Sequence, residues 1–159
     1  MTDHLATIHA KKNCIASENA GTKASKIEFA NTLNPGDAVS VQVFPSETWN
    51  VEGNHHPRNA DGVTIETTPS FKLNWGSFIA LTPEASQVTK TPNAVNYNFG
   101  ASCLVGSFDE GKSFVGIGSD FNMVVQNTSI KSLWLYCWDV NNTDNSGSLN
   151  AVVSISSPS

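Results

Sequence analysis

Two stretches of this sequence gather side chains that can do chemistry. In the first, Asp139, Asn141, Asn142, Thr143, Asp144 and Asn145 crowd carboxylate, amide and hydroxyl oxygens between two apolar runs. Hard cations such as calcium take about six to eight oxygen ligands from such groups and from backbone carbonyls. In the second, His55-His56-Pro57-Arg58-Asn59-Ala60-Asp61 gathers imidazole, amide and carboxylate groups. Those groups suit hydrogen bonds to hydroxyls. Trp49 lies just upstream between polar neighbours. An exposed indole there would offer a flat face to the C–H side of a sugar ring, and a buried one would only pack in the core.

The first stretch does not read as an EF-hand, although Asp139, Asn141, Thr143 and Asn145 alternate as that loop's early ligands do. Its sixth position needs Gly and has Asp144, and its twelfth needs a bidentate Glu and has Asn150. Calcium here would sit on a strand-to-strand connection. The bland alternative is a hairpin loop whose Asp and Asn form Asx-turns.

The elements that must position these groups read as strands. Val39, Val41 and Val43 alternate with polar residues straight after Asn34-Pro-Gly-Asp, a strong turn signal. Further strands are expected near 26–30, 63–67, 71–75, 78–81, 103–108, 114–118, 121–125, 133–138 and 149–155. One short helix is possible from Thr82-Pro-Glu, and 90–98 reads as loop. Many short strands without sustained helical period imply an all-β sandwich or jelly roll. At 159 residues the chain is one domain. Residues 1–12 read as a flexible tail before a single domain at 13–159.

Composition narrows the function. The net charge is −5 and lysines are scattered, which argues against nucleic acid. No stretch approaches the roughly 20 apolar residues of a membrane span. The start lacks an apolar core of signal-peptide length, so the expectation is a cytoplasmic protein or one released without a classical signal. The three cysteines are odd in number and read as buried small hydrophobes. No Gly-x-Ser-x-Gly elbow, paired catalytic Glu or His-Glu-x-x-His motif is present. A hydrolase using His56 as base and Asp61 as orienter is therefore disfavoured, and no enzyme is expected.

The chain resembles the calcium-dependent galactose-binding lectins of the bacterial PA-I galactophilic type. Four anchors occur in order: Ala16-Ser-Glu-Asn-Ala-Gly, Asn34-Pro-Gly-Asp with its Val strand, His56-Pro57, and Asp139-Val with Asp144-Asn-Ser-Gly. The resemblance implies a β-sandwich of jelly-roll type, usually a homotetramer, with one Ca2+ shared between protein and sugar. Asp139, Asp144 and Asn145 would give side-chain oxygens. Trp49 would give its carbonyl, and Asn141 or Thr143 another. His56 with Pro57, and Asp61 or Asn59, would contact sugar hydroxyls, and Asp139 and Asn145 would share in that contact. Residues 64–98 form an insertion. The implied partners are galactose-containing glycans. The competing expectation is a structural or protein-binding sandwich with neither metal nor sugar.

Overall fold

A computed structural model describes residues 2–15, 24–50, 57–61, 102–111, 113–127, 129–139 and 145–158, and the backbone of 78–80 and 95–97. The described residues contain strands and no helix. Expected elements at 63–67, 71–75 and 82–87 fall outside them, as does most of the 64–98 insertion.

Two antiparallel sheets face each other. One runs β1 (Thr2–His9), β11 (Ser146–Ser156), β3 (Ala38–Gln42), β9 (Asp120–Val124), with the short β4 (Trp49–Asn50) pairing β11 off that path. The other runs β2 (Ser25–Leu33), β10 (Ile130–Cys137), β7 (Leu104–Ser107), β8 (Val115–Gly116). The molecule is thus an all-β sandwich. A separate pair joins β5 (Phe78–Ala80) to β6 (Val95–Tyr97), which places a strand inside the expected 90–98 loop.

Alternation decides which faces meet. Val39, Val41 and Val43 are buried, and so are Leu149, Ala151 and Val153 of β11. They pack with Ile27, Leu104, Leu133, Leu135 and Cys137 from the opposite sheet in one core. A smaller cluster of Ile15, Val105, Phe114, Tyr136 and Trp138 covers the far side of β10 and β7.

The expected tail at 1–12 is corrected. Its residues 2–9 pair with β11 in an unbroken register from Thr2↔Ile155 to His9↔Ser148. Ala6 and Ile8 point into the core and Leu5 points out.

Two turns are built as their residues require. Asp37 N donates to Asn34 O at 3.0 Å, Asn34 N donates back to Asp37 Oδ2 at 2.8 Å, and Gly36 takes φ +99°. Glu110 and Gly111 both take positive φ, 61° and 84°, in the connection between β7 and β8. Asp109 holds that connection, accepting from Ser107 Oγ and from Ser113 N and Oγ. Partial burial pushes the Asp109 carboxyl upward, but those hydrogen bonds outweigh it and leave the group below its ordinary range. A depressed folded pKa adds stability above the unfolded value, about 3.9, and loses it as pH falls through the folded value. The protection of amides 107–111 against exchange, taken relative to the intrinsic rate at each pH, is therefore expected to fall below about pH 4 and stay flat from pH 5 to 7. In Asp109→Asn that acid step should vanish. An unchanged step would assign the effect to another carboxyl.

Candidate functional site

The two stems of the 139–145 connection end side by side because residues 10–15 clasp both. Asn13 N donates to His9 O at 2.9 Å and Asn13 Oδ1 accepts from His9 N at 2.7 Å, which closes the turn after β1. From this turn Cys137 N donates to Asn13 O and Ile15 N donates to Cys137 O, at 2.9 and 3.0 Å. Cys14 Sγ lies 3.4 Å from the Asp139 carbonyl, which accepts from it. On the other stem Ala10 N donates to Gly147 O at 3.0 Å and Asn145 Nδ2 donates to Ala10 O at 2.8 Å.

Asp139 and Asn145 are both buried, 1% and 4% exposed. A carboxylate so placed must find cationic or hydrogen-bonding company. The Asn145 amide is oriented by its bond to Ala10, and its Oδ1 is buried without a hydrogen-bond partner. Nearly all buried polar atoms in folded proteins are satisfied, so this oxygen calls for an explanation. A second such oxygen, Asn50 Oδ1, belongs to the residue that pairs with Ser146 across β4 and β11. An oxygen that accepts nothing from the protein is the donor atom a hard cation takes. Among the described residues no three His, Cys, Asp or Glu side chains form a metal cluster. Asn141, Thr143 and Asp144 lie outside the described residues, and so does His56.

Beneath Asp139 the Cys137 thiol is pushed well above its ordinary value, first by complete burial and then by the neighbouring Cys14, Asp139 and Cys103. None of the three cysteines forms a disulfide, and Cys14 and Cys137 are buried as expected, whereas Cys103 is half-buried.

Trp49 corrects the expectation of an exposed stacking face. Its side chain is fully buried, and its Nε1 donates to Ser102 O at 2.9 Å. Its backbone is paired with Arg58 in both directions, Trp49 N to Arg58 O at 2.9 Å and Arg58 N to Trp49 O at 2.8 Å. The carbonyl expected on a cation thus already accepts one hydrogen bond. Gly147 opposes Trp49 with φ +85°, and a Cβ there would stand 3.3 Å from Trp49 Cα.

The loop at 57–61 is fixed at three points, and its polar residues do that fixing. Arg58 is bridged to Trp49 and Ala60 O accepts from Leu104 N at 2.9 Å. Asp61 Oδ1 and Oδ2 accept from Ser119 N and Oγ at 2.7 and 2.8 Å. Asn59 Oδ1 accepts from Asp61 N at 3.0 Å. Asn59 and Asp61, expected on sugar hydroxyls, thus hold the loop in place. Pro57 is half-buried at its start. Two participants carry no clear signal in the sequence. Arg58, one polar residue among many in its stretch, is fully buried, and Asn50 is the other. Only Asn50's place next to Trp49 hinted at a role.

The Asp61 staple depends on Gly118, where φ is +67° and a Cβ would fall 2.5 Å from Asp61 Oδ1. Gly118→Ala is expected to cost about 1–3 kcal/mol in urea unfolding, from backbone strain plus the lost staple. Adding Asp61→Ala to it should cost less than the sum of the two changes, because the clash partner is gone. Strict additivity would show that the two sites are not coupled.

No protein-family model matches the sequence, and no curated protein matches it. What the chain can do therefore rests on the sandwich and on the clasped 139–145 connection.

Proposed function

We propose that the chain is a calcium-dependent carbohydrate-binding lectin that prefers galactose or galactosides. The observation that carries the proposal is the buried, oriented and unsatisfied Asn145 Oδ1 at one stem of a connection whose other stem holds the buried Asp139. Asp139 and Asn145 would hold the ion, with Asp144 and a carbonyl from Asn141 or Thr143 completing its protein ligands. Bound Ca2+ would supply the electrostatic attraction that fixes a pair of vicinal sugar hydroxyls. The protein's own part is to present oxygens that need no rearrangement, since residues 10–15 fix both stems before any ligand arrives. His56 and Pro57 would sit on the sugar, and Asn59 and Asp61 would set their position. Neither a catalytic triad nor a redox centre enters this account.

One sugar per site binds weakly, and copies held together multiply the avidity. A homotetramer of such sandwiches is part of the proposal. The direct test is retention on a galactose resin. The chain should bind in millimolar calcium, elute with EDTA or free galactose, and bind again when calcium is restored. Flow-through in calcium, together with silence on a glycan array, would sink the proposal in favour of a structural or protein-binding sandwich.

A further inference from the structure

The outward face of the five-stranded sheet holds large apolar side chains that stay exposed among the described residues. Leu5 is 83% exposed, Phe44 74% and Val152 37%. Leu5 and Val152 are register partners on β1 and β11, and such partners project from one face of a sheet. With Glu47, Asn150 and Asp120 they line a shallow cavity of about 480 Å³. That volume lies in the range of small-ligand sites, about 300–1,000 Å³.

The polar wall of this cavity is prearranged. Asn150 N and Nδ2 both donate to Glu47 Oε1, at 3.0 and 3.1 Å, and Thr7 Oγ1 donates to Asn150 Oδ1 at 2.8 Å. The Asn150 side-chain amide spends one of its two N–H donors inside the wall. What remains for a ligand is its second N–H, together with the remaining lone pairs of the Glu47 and Asp120 carboxylates, which are acceptors only. No Lys or Arg is among the described residues that line the cavity. An anionic ligand is therefore repelled. An apolar protein face would bury two carboxylates whose only hydrogen-bond donors here are the Asn150 and Asn122 amides, at a desolvation cost. A hexose ring satisfies both walls. Its hydroxyls make charge-assisted bonds to the carboxylates, and its C–H face meets the electron-rich face of Phe44.

We infer that this cavity is a second, metal-independent binding site for a hexose ring of a neutral oligosaccharide. Neither Asp139 nor Asn145 lines it, so it does not depend on calcium or on the proposal above. Cellohexaose, maltohexaose and a β-1,4-linked galactohexaose would be titrated into 15N-labelled protein in EDTA. Saturable shifts are expected at Gln42, Phe44, Glu47 and Asn150 with at least one of them. Phe44→Ala should weaken that binding about tenfold while leaving the remaining spectrum unchanged, because the ring is exposed. Asp120→Asn gives a second readout at the opposite wall. Absence of saturable shifts with all three sugars would overturn the inference. So would shifts that appear only when calcium is present. A dimer in sedimentation that Phe44→Ala dissociates would likewise overturn it, by making the patch an interface between copies.

Discussion

Trp49→Ala is expected to remove about 3–5 kcal/mol of stability, among the largest effects of truncating any described residue. Trp49 and Trp138 are the largest fully buried side chains among the described residues. Its removal forfeits the transfer free energy of the indole and leaves a cavity that the surrounding strands can fill only in part. Ser102 O also loses its donor and stays buried, which adds about 1–3 kcal/mol when no water replaces it. The short strand β4 has little else to hold it, since its backbone is shared between Arg58 on one side and Gly147 and Ser146 on the other. Domains of this size commonly have about 5–15 kcal/mol in all, so the variant should melt well below the wild type. Trp49→Phe separates the contributions: it keeps much of the apolar volume, loses the N–H, and should cost clearly less. Urea unfolding of both variants measures this. A cost below about 1 kcal/mol for Trp49→Ala would mean that the indole is not the packing post beneath the 57–61 loop.

That burial was not legible in the sequence, and the physical reason is instructive. Thr48 and Asn50 flank Trp49, and a lone aromatic between polar neighbours reads equally well as exposed or as buried. In the fold, the two-residue β4 is bonded on both edges, so its alternate side chain has nowhere to go but inward. The same holds for β1. Leu5 is its most apolar-looking large residue and faces solvent, while small Ala6 and Ile8 face the core, because register with β11 sets the parity. Asp61 resembled a ligand residue because nothing local announces a partner 58 positions away in Ser119. By contrast the Val39–Val43 alternation, the 34–37 turn and the final strand were all legible. Their signals are local: period two, a Pro-Gly step, an apolar run. Of the site, the pair Asp139 and Asn145 was legible from composition. Their burial, the clasp by residues 10–15 and the unsatisfied oxygen came only from contacts more than 120 positions apart.

Calcium should raise the stability of the wild type by about 2.7 kcal/mol at a free concentration one hundred times its dissociation constant, with no gain in EDTA. For a chain of this length that is a rise in Tm of about 5–10 °C. Asn145→Ala gives this expectation its edge, because its two effects in EDTA oppose each other. The change deletes the Nδ2 bond and leaves the buried Ala10 O without that donor, at about 1–3 kcal/mol, and it also deletes a buried acceptor whose own lack of a partner costs about 1–3 kcal/mol. Without metal the variant should therefore unfold within about 1 kcal/mol of the wild type, or slightly above it. With metal it should fall behind, since it has lost a ligand; each tenfold loss of affinity takes away about 1.4 kcal/mol of the gain. Ordinary loop damage cannot produce that pattern, as it would lower both curves alike. A wild-type melt that does not move with calcium ends the metal proposal. A melt that moves equally in Asn145→Ala keeps the ion but takes it away from this oxygen. The unsatisfied oxygen would then be a standing cost of the fold, and replacing it with an apolar group of similar shape should stabilise the protein in either condition.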